Sequence, residues 1–496
     1  MIQHILGLLC FAVIFAGPLP LCLGSIFLLE DGNINKNEES GFSHRLFILI
    51  ICWCILETFI GLVLGILHQL NLPGVILVEM IIFITGMAFL MSIKHKNPSF
   101  RFRDLLRKPG PFNNPGKLIF NVICFVCLFL LWVSVTCPIK EYDSLAFHLP
   151  VMAKWYQTGS FTMLEQFSQI SRYPYNWEVL CTLYLMPFRE YFSTSFSNVI
   201  AWVLFGLSVY LLAIKIGAAR IHSLAASSLV MTLPIVLRNV NTMHIDLPFA
   251  AFFMAALYLI VHSIHTRSLG YLSLFLAALG MLAGIKTSGL IYGMILVVVF
   301  ALMALRLKYF EKSPLNFSLE PNSAAIPFGI MGGLSFLLLG GFWYLRNFIQ
   351  LGNPIGFVKV QVGNILIFPG TMEPSDLYRT TLVEVFDLMR LSHWKIFLKQ
   401  MGHKLGIPFC AIIFLLLILL LTFLTRKKSV NIRILIGLFA LSMVTLVLYW
   451  LTPYSGTNFT KGGEMAPWVG QAMRYAFPFI GVLGALSAAG AEGDSD

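Results

Sequence analysis

Long apolar stretches alternate with short polar segments along nearly the whole chain, and the stretches approach the roughly 20 residues that a helix needs to cross a hydrocarbon core. Thirteen segments fit, near residues 4–28, 46–67, 74–93, 117–136, 195–215, 221–239, 246–266, 269–285, 288–306, 326–345, 406–425, 432–451 and 475–490. They predict an all-α polytopic membrane protein, a bundle of about 13 transmembrane helices. Two polar intervals are long, 137–194 and 346–405, and a third runs from Thr452 to Arg474. In the first, YDSLAFHLPVMAKWY sets Leu145, Leu149, Met152 and Trp155 at steps of three or four, which predicts a helix lying in the membrane interface, apolar face down. TTLVEVFDLMRLSHWKIFLKQ, in the 360–400 region, predicts a second.

Composition agrees. Of 496 residues, 58% are hydrophobic and 11% charged, against roughly 25% charged in soluble domains, and the mean hydropathy is +0.82. The net charge of +11 does not point to nucleic acid, because the basic residues are scattered through loops instead of gathered on one face. Two segments are strongly basic, KHKNPSFRFRDLLRKPGPFNNPGK (94–117) and RKKSVNIR (426–433). Placing both in the cytoplasm puts the three long polar intervals together on the outer side. Loop 29–45, with Glu30, Asp31, Glu38 and Glu39, is then cytoplasmic although mostly acidic. The first apolar segment has no Lys or Arg before it, so it reads as a retained helix. The tail AAGAEGDSD, including residues 491–496, predicts no domain after the last span.

Glu57 and Glu79 fall inside apolar segments, where a carboxyl faces protein or a pathway, not lipid. Cys124 and Cys127 lie within one span and read as packing residues, while Cys137 and Cys181 are candidates for a disulfide if the outer compartment is oxidising. Asn458-Phe459-Thr460 has the form of a glycosylation acceptor.

Chemistry-bearing residues collect at predicted outer helix ends. Asp143 follows an apolar span by a few residues, with Glu141 before it and His148 after it. On an α-helix, residues five apart diverge by roughly 140°, so Asp143 and His148 are no dyad on spacing alone, and an acid there also serves as a helix cap. Asp246, with His244 two residues earlier, Lys286, Arg346 with Asn347, and Arg474 with Tyr475 all border the same predicted face. Arg and Lys at such ends also snorkel to headgroups, and His148 and His244 also read as ordinary hydrogen-bonded histidines. Tyr173, in YPYNWEVL with Glu178, suits a sugar-stacking wall or an interfacial anchor. No Asp-x-Asp triplet falls in the long outer loops, which argues against a metal-bound nucleotide-sugar donor and leaves a divalent metal open.

YDSLAFHLP, YPYNWEVL, HIDLPFAAFF, GIKTSGL, FWYLRNFIQLGNP and MRYAFP, in this order and sidedness over residues 117 to 490, resemble the GT-C glycosyltransferase superfamily. The likeness is to the branch with protein O-mannosyltransferases and the aminoarabinose transferase of lipid A. It implies a multi-pass protein of a bacterial plasma membrane, working on the outer side, with a transferase domain (96–490); the three helices of residues 1–95 lie outside the matched part and read as an N-terminal extension of open role. It also implies a polyprenyl-phosphate sugar donor, membrane lipids around it, a glycan, lipid or protein acceptor, and inversion at the anomeric carbon. The acid of the first outer loop, Asp143, is then catalytic, Asp246 is its helper at the acceptor, donor or metal, and Lys286, Arg346 and Arg474 are candidates for the donor phosphate. Glu141, His148, Tyr173, Glu178, His244, Asn347 and Tyr475 are candidates for acceptor or sugar. Unlike the O-mannosyltransferases, the chain separates Glu141 from Asp143 by Tyr142, and it shows no long soluble C-terminal domain of the oligosaccharyltransferase kind. Two other classes use similar components. A polysaccharide polymerase or ligase relies on Arg and His in a large outer loop, and a lipid-linked sugar transporter or flippase places polar groups at mid-membrane.

Overall fold

With no water in hydrocarbon to bond backbone amides, runs of Leu, Ile, Phe and Val close their hydrogen bonds within helices. The computed structural model describes residues 2–30, 41–96, 114–164, 170–309, 325–379, 381–425, 432–453 and 472–489. These are helical almost throughout, and the chain is an all-α polytopic membrane protein. Among the described residues nine helices are long and apolar enough to span a membrane, and a bent pair, Arg220–Met231 with Pro234–Val240, meets at 66° and makes up to ten. The other three expected spans are the 27-residue helix Ala325–Leu351, the 17-residue helix Leu269–Ile285 and the helix Phe477–Ala488. The first span is broken at Gly17–Pro18 into Ile2–Ala16 and Leu19–Leu29.

Burial separates an inner layer from a rim. In the span Asp246–Thr266, 94% of the most apolar window is buried within the protein, against 11% in Asn114–Thr136 and Gly289–Tyr309, whose side chains are left for lipid. Trp177, Trp202, Phe205, Phe252, Phe253, Phe275 and Phe477 form the fully buried centre. Leu269–Ile285 runs close against Ala325–Leu351 because both are glycine-bearing. A Cβ on Gly280 would stand 2.8 Å from the Phe336 Cα, and one on Gly332 would stand 2.6 Å from the Ser273 carbonyl. Such contacts take the place of a hydrophobic drive between helices in lipid.

The bundle has two distinct ends. One gathers the turn at 67–71, whose Leu70 amide bonds the Gly159 carbonyl at 2.9 Å, with the start of Asp246–Thr266 and the end of Leu269–Ile285. The other gathers His44, Tyr258, His262 and Tyr271, linked by hydrogen bonds of 2.7–3.3 Å. At this end Glu30 is paired with Arg45 at 2.9 Å, so part of the acidity of loop 29–45 is neutralised by the helix that follows it.

Several local expectations are corrected. In the first long loop, Leu149, Met152 and Trp155 face protein, packed against the helix Asn176–Phe188, and Leu145 is exposed. The 360–400 region is not one amphipathic helix. It holds an antiparallel hairpin, Val360–Val362 with Ile365–Phe368, then the short helices Pro374–Tyr378 and Leu382–Val385. The helix Leu391–Thr425 follows, kinked where Gly406 takes φ +61°. Cys181 is buried inside Asn176–Phe188 against Ser197, and both it and Cys137 are free thiols. Glu57 and Glu79 are fully buried in the bundle, away from lipid. Residues 97–113, 426–431, 454–471 and 490–496 lie outside the described residues, as do Asp31, Glu38, Glu39 and the Asn458 triplet.

Candidate active site

Pro150 has no N–H to give the preceding turn, and just before it the chain widens into a π-turn, Ser144–His148, leading into the helix Leu149–Thr158. The wider turn changes the spacing from α geometry, but Asp143 and His148 still form no dyad and take separate partners, Arg474 and Glu178. Glu141 pins the start of this turn. Its Oε1 accepts the Asp143 amide at 3.0 Å, and its Oε2 accepts the Ser144 amide and hydroxyl, each at 2.8 Å. Ser144 Oγ in turn accepts the Met243 amide at 2.9 Å, which ties the first long loop to the segment before Asp246.

That segment is held from below by Asn198. Its Nδ2 donates to the carbonyls of Asn239, Thr242 and His244 at 3.2, 2.7 and 3.3 Å, while its Oδ1 accepts Trp177 Nε1 at 2.8 Å. Asp246 then opens its helix, where the helix dipole favours a carboxylate.

Arg474, in a turn at Met473–Ala476, joins the two loops. Its Nη2 donates to Asp143 Oδ2 at 2.8 Å, and its Nη1 meets His244 Nε2 at 2.9 Å. Its Nε lies 2.9 Å from Asp246 Oδ2, an ion-pair contact without hydrogen-bond alignment. Lys286, at the end of Leu269–Ile285, donates to Asp246 Oδ1 at 2.8 Å, with its Nζ 4.0 Å from the centre of the Tyr475 ring. Asp143, Asp246, His244, Lys286, Arg474 and Tyr475 thus converge from four separate helix ends. Asp246, Lys286, Tyr292, Arg474 and Tyr475 line a small cleft.

Electrostatics distinguish the acids. Burial opposes charge on Glu141, but the His244 ring and the Asp143 and Ser144 amides outweigh it and hold its carboxyl well below the usual range. Burial lowers His244 below the usual imidazole range against the pull of Glu141, and Arg474 adds to the lowering. His244 Nε2 is also 3.2 Å from Glu141 Oε1, and it serves one neighbour at a time. Unprotonated, it accepts from Arg474; protonated, it donates to Glu141. Asp143 keeps its side chain 31% exposed, and its Oδ1 has no hydrogen-bond partner among the described residues.

Glu141, Asp143 and His244 each offer a ligand atom, all within 4.8 Å of one another, a donor set that suits a divalent cation. Arg474 already bonds Asp143 and His244, so its guanidinium supplies positive charge to two of these three groups.

Other candidates stand apart. His148 Nδ1 bonds Glu178 Oε1 at 2.7 Å, and Glu178 is fully buried. Arg346 and Asn347 brace the segment before Asn176. Arg346 Nη2 donates to the Ser171 carbonyl at 3.0 Å, and Asn347 Nδ2 donates to the Arg172 carbonyl at 2.7 Å. Tyr173 is half exposed and packs edge-on to Phe357 at 5.7 Å. Lys286, Arg346 and Arg474 therefore do not form one phosphate cradle, since two pair with acids and the third makes no contact with them. Asn198 escaped the sequence reading, and Ser144 and Arg172, though visible in the first long loop, were given no role. Asn198 carried a signal, as an amide early in an apolar span.

Residues 162–344 match the family model described as dolichyl-phosphate-mannose-protein mannosyltransferase. The match holds Glu178, His244, Asp246 and Lys286, and stops short of Asp143 and Arg474 on either side. With the helical architecture, the match supports a membrane glycosyltransferase of the GT-C class. No curated protein and no solved structure matches the chain.

Proposed function

We propose that this enzyme transfers a sugar from a polyprenyl-phosphate-linked donor to a hydroxyl of a glycan, lipid or protein acceptor on the outer side of the plasma membrane, with inversion at the anomeric carbon. The observation that carries the reading is Arg474. One guanidinium fixes Asp143 and lies against Asp246, so the acids of two loops meet at one point beside a cleft.

An acceptor hydroxyl is a weak nucleophile until a base takes its proton. Asp143 is that base. Arg474 holds one of its carboxylate oxygens and leaves the other to accept the proton, in an exposed position an acceptor can reach. The hydroxyl oxygen bonds to the anomeric carbon from one face, the carbon–oxygen bond to phosphate breaks on the other, and the electron pair leaves with the lipid phosphate. Asp246 keeps Lys286 and Arg474 in place, and Tyr475 gives Lys286 an apolar wall. Glu141 and Ser144 set the turn that aims Asp143 and act as positioning residues.

The test is transfer from a panel of radiolabelled polyprenyl-phosphate sugars by the purified protein and its Asp143→Asn variant, with and without EDTA. Loss of a general base is expected to cost about 10²–10⁴-fold in rate, with donor binding retained. Turnover that survives the substitution would refute the assignment.

A further inference from the structure

We infer that the hairpin at 360–368, in the second long loop, lies in the membrane interface at the acid-cluster end of the bundle, with Val362, Ile365 and Ile367 set among lipid acyl chains. This does not depend on the sugar transfer proposed above. Val362 pairs with Ile365, and Gln361 with Leu366, across the two-residue turn of Gly363 and Asn364, where Gly363 takes φ +58°. Side chains alternate along a strand, so Val362, Ile365 and Ile367 share one face while Gln361 and Leu366 share the other. Val362, Ile365 and Ile367 are 65%, 71% and 47% exposed, so the described residues leave this branched apolar face largely uncovered. A two-stranded ribbon is at best marginally stable in water by itself, and apolar surface left in water makes it less so.

The neighbouring helix points to what covers it. Along Ala325–Leu351, Ile330, Leu334, Leu337, Leu345 and Phe348 are exposed and fall on one helical face, a continuous apolar stripe left for lipid. Phe368 packs edge-on against Phe348, ring centres 6.3 Å apart. The ribbon therefore leans on the lipid-facing side of the helix at its last turn and continues its apolar surface. The same helix sets the level, because Tyr344 donates to the Ala283 carbonyl at 2.8 Å, three residues before Lys286. The hairpin thus stands at the end of the bundle where the acids gather.

Backbone chemistry sets the depth. The outer edges of a two-stranded ribbon carry amides and carbonyls that hydrocarbon cannot satisfy, so the hairpin lies along the boundary between headgroups and acyl chains and does not enter the core. Its base is polar in keeping with that level, with Lys359 paired to Glu373 at 3.0 Å. The ribbon is also held firmly there. Asn353 Nδ2 donates to the Val358 and Pro369 carbonyls at 2.8 and 2.7 Å, and the Lys359 amide donates to the Met372 carbonyl at 2.9 Å. Gly370 passes so close to the Lys359 backbone that no side chain fits between them. Clamped in this way, the hairpin presents its apolar face as a fixed plate, and the second long loop is tied to the bilayer beyond the end of the helix that leads into it.

The experiment places the photo-crosslinking residue p-benzoylphenylalanine at position 365 of the full-length protein, in nanodiscs of radiolabelled phosphatidylcholine, and measures the lipid bound after irradiation. Ile349, exposed at the end of the lipid-facing helix, and Asp376, an exposed acid in the short helix after the hairpin, are the reference positions. Labelling at 365 is expected within about threefold of that at 349 and about tenfold above that at 376, as for a side chain immersed at the acyl boundary. Labelling at 365 no greater than at 376 overturns the proposal. So does a crosslink from 365, in cell membranes, that captures a second copy or another protein in place of lipid. A second measurement guards against a crosslinker that distorts the ribbon. Ile365→Trp should add fluorescence over the parent that is quenched more by phosphatidylcholine brominated high on its acyl chains than by lipid brominated near the chain ends. Added emission that neither lipid quenches puts the face in water, and the reverse order puts the ribbon in the core; either result refutes the placement.

Discussion

At the residue scale the site depends on which neighbour His244 serves. Its Nε2 accepts from Arg474 at 2.9 Å only while unprotonated, and a proton turns it towards Glu141 at 3.2 Å. Burial, then Arg474, lowers its pKa from the ordinary 6.5. The unfolded chain therefore binds a proton at pH values where the folded protein does not, and linkage makes stability fall as pH drops below 6.5. Above 6.5 both states are neutral and the effect vanishes. In detergent the melting temperature is expected to decline from pH 6.5 towards 5, and His244→Gln should flatten that decline. A slope that survives the substitution assigns the effect elsewhere. Asp143, His244, Asp246, Lys286 and Arg474 were all legible in the sequence, because polar residues at the ends of apolar spans stand out. Their pairing was not. A guanidinium that bonds a carboxylate 331 residues away leaves no local pattern, and the sequence reading placed Arg474 on phosphate for want of that contact.

At the scale of elements, the segment from Asn241 to Ile245, between the helices Pro234–Val240 and Asp246–Thr266, has no regular structure of its own, so its shape is imposed from outside. Asn198 imposes most of it through three carbonyls, with its own oxygen fixed by Trp177. Replacing Asn198 with Leu removes all four bonds and strands a buried indole N–H. Each unsatisfied buried group costs about 1–3 kcal/mol, so the variant should unfold at a clearly lower temperature. Because His244 and Asp246 hang from this segment, its turnover should fall more than its donor binding. Equal losses in both would show that Asn198 supports the fold alone. The π-turn has the same lesson for legibility. A helix was foreseen near Asp143, but its register was not. Pro150 was visible, yet whether a proline bends, ends or widens a helix depends on what packs around it. Likewise Leu149, Met152 and Trp155 have the spacing of an interfacial face, and periodicity does not say whether lipid or protein covers it.

At the scale of the whole molecule, the first helices brace the first long loop. The helix Ile2–Ala16 sets Phe11 against Tyr184 and Phe188, and Gly41–Ile66 sets Trp53 parallel to Tyr184 at 6.0 Å. Both contacts fall on Asn176–Phe188, the helix that carries Glu178. Nearer the site, Gly65 lies directly under the Phe161 ring, with no room for a Cβ between them. Phe161 packs in turn on Trp155 at 5.0 Å and on Trp343 at 5.1 Å, the residue beside Arg346. A methyl group at position 65 therefore pushes on the first long loop through a rigid aromatic stack. Overpacking of this kind costs about 1–3 kcal/mol. Gly65→Ala should lower both the melting temperature and the transfer rate, although no atom of Gly65 touches the acids. Trimming the ring removes the obstacle, so the Gly65→Ala, Phe161→Leu double variant should transfer faster than Gly65→Ala alone. Additive losses in the double variant would mean that the first helices stabilise the bundle without positioning its loop.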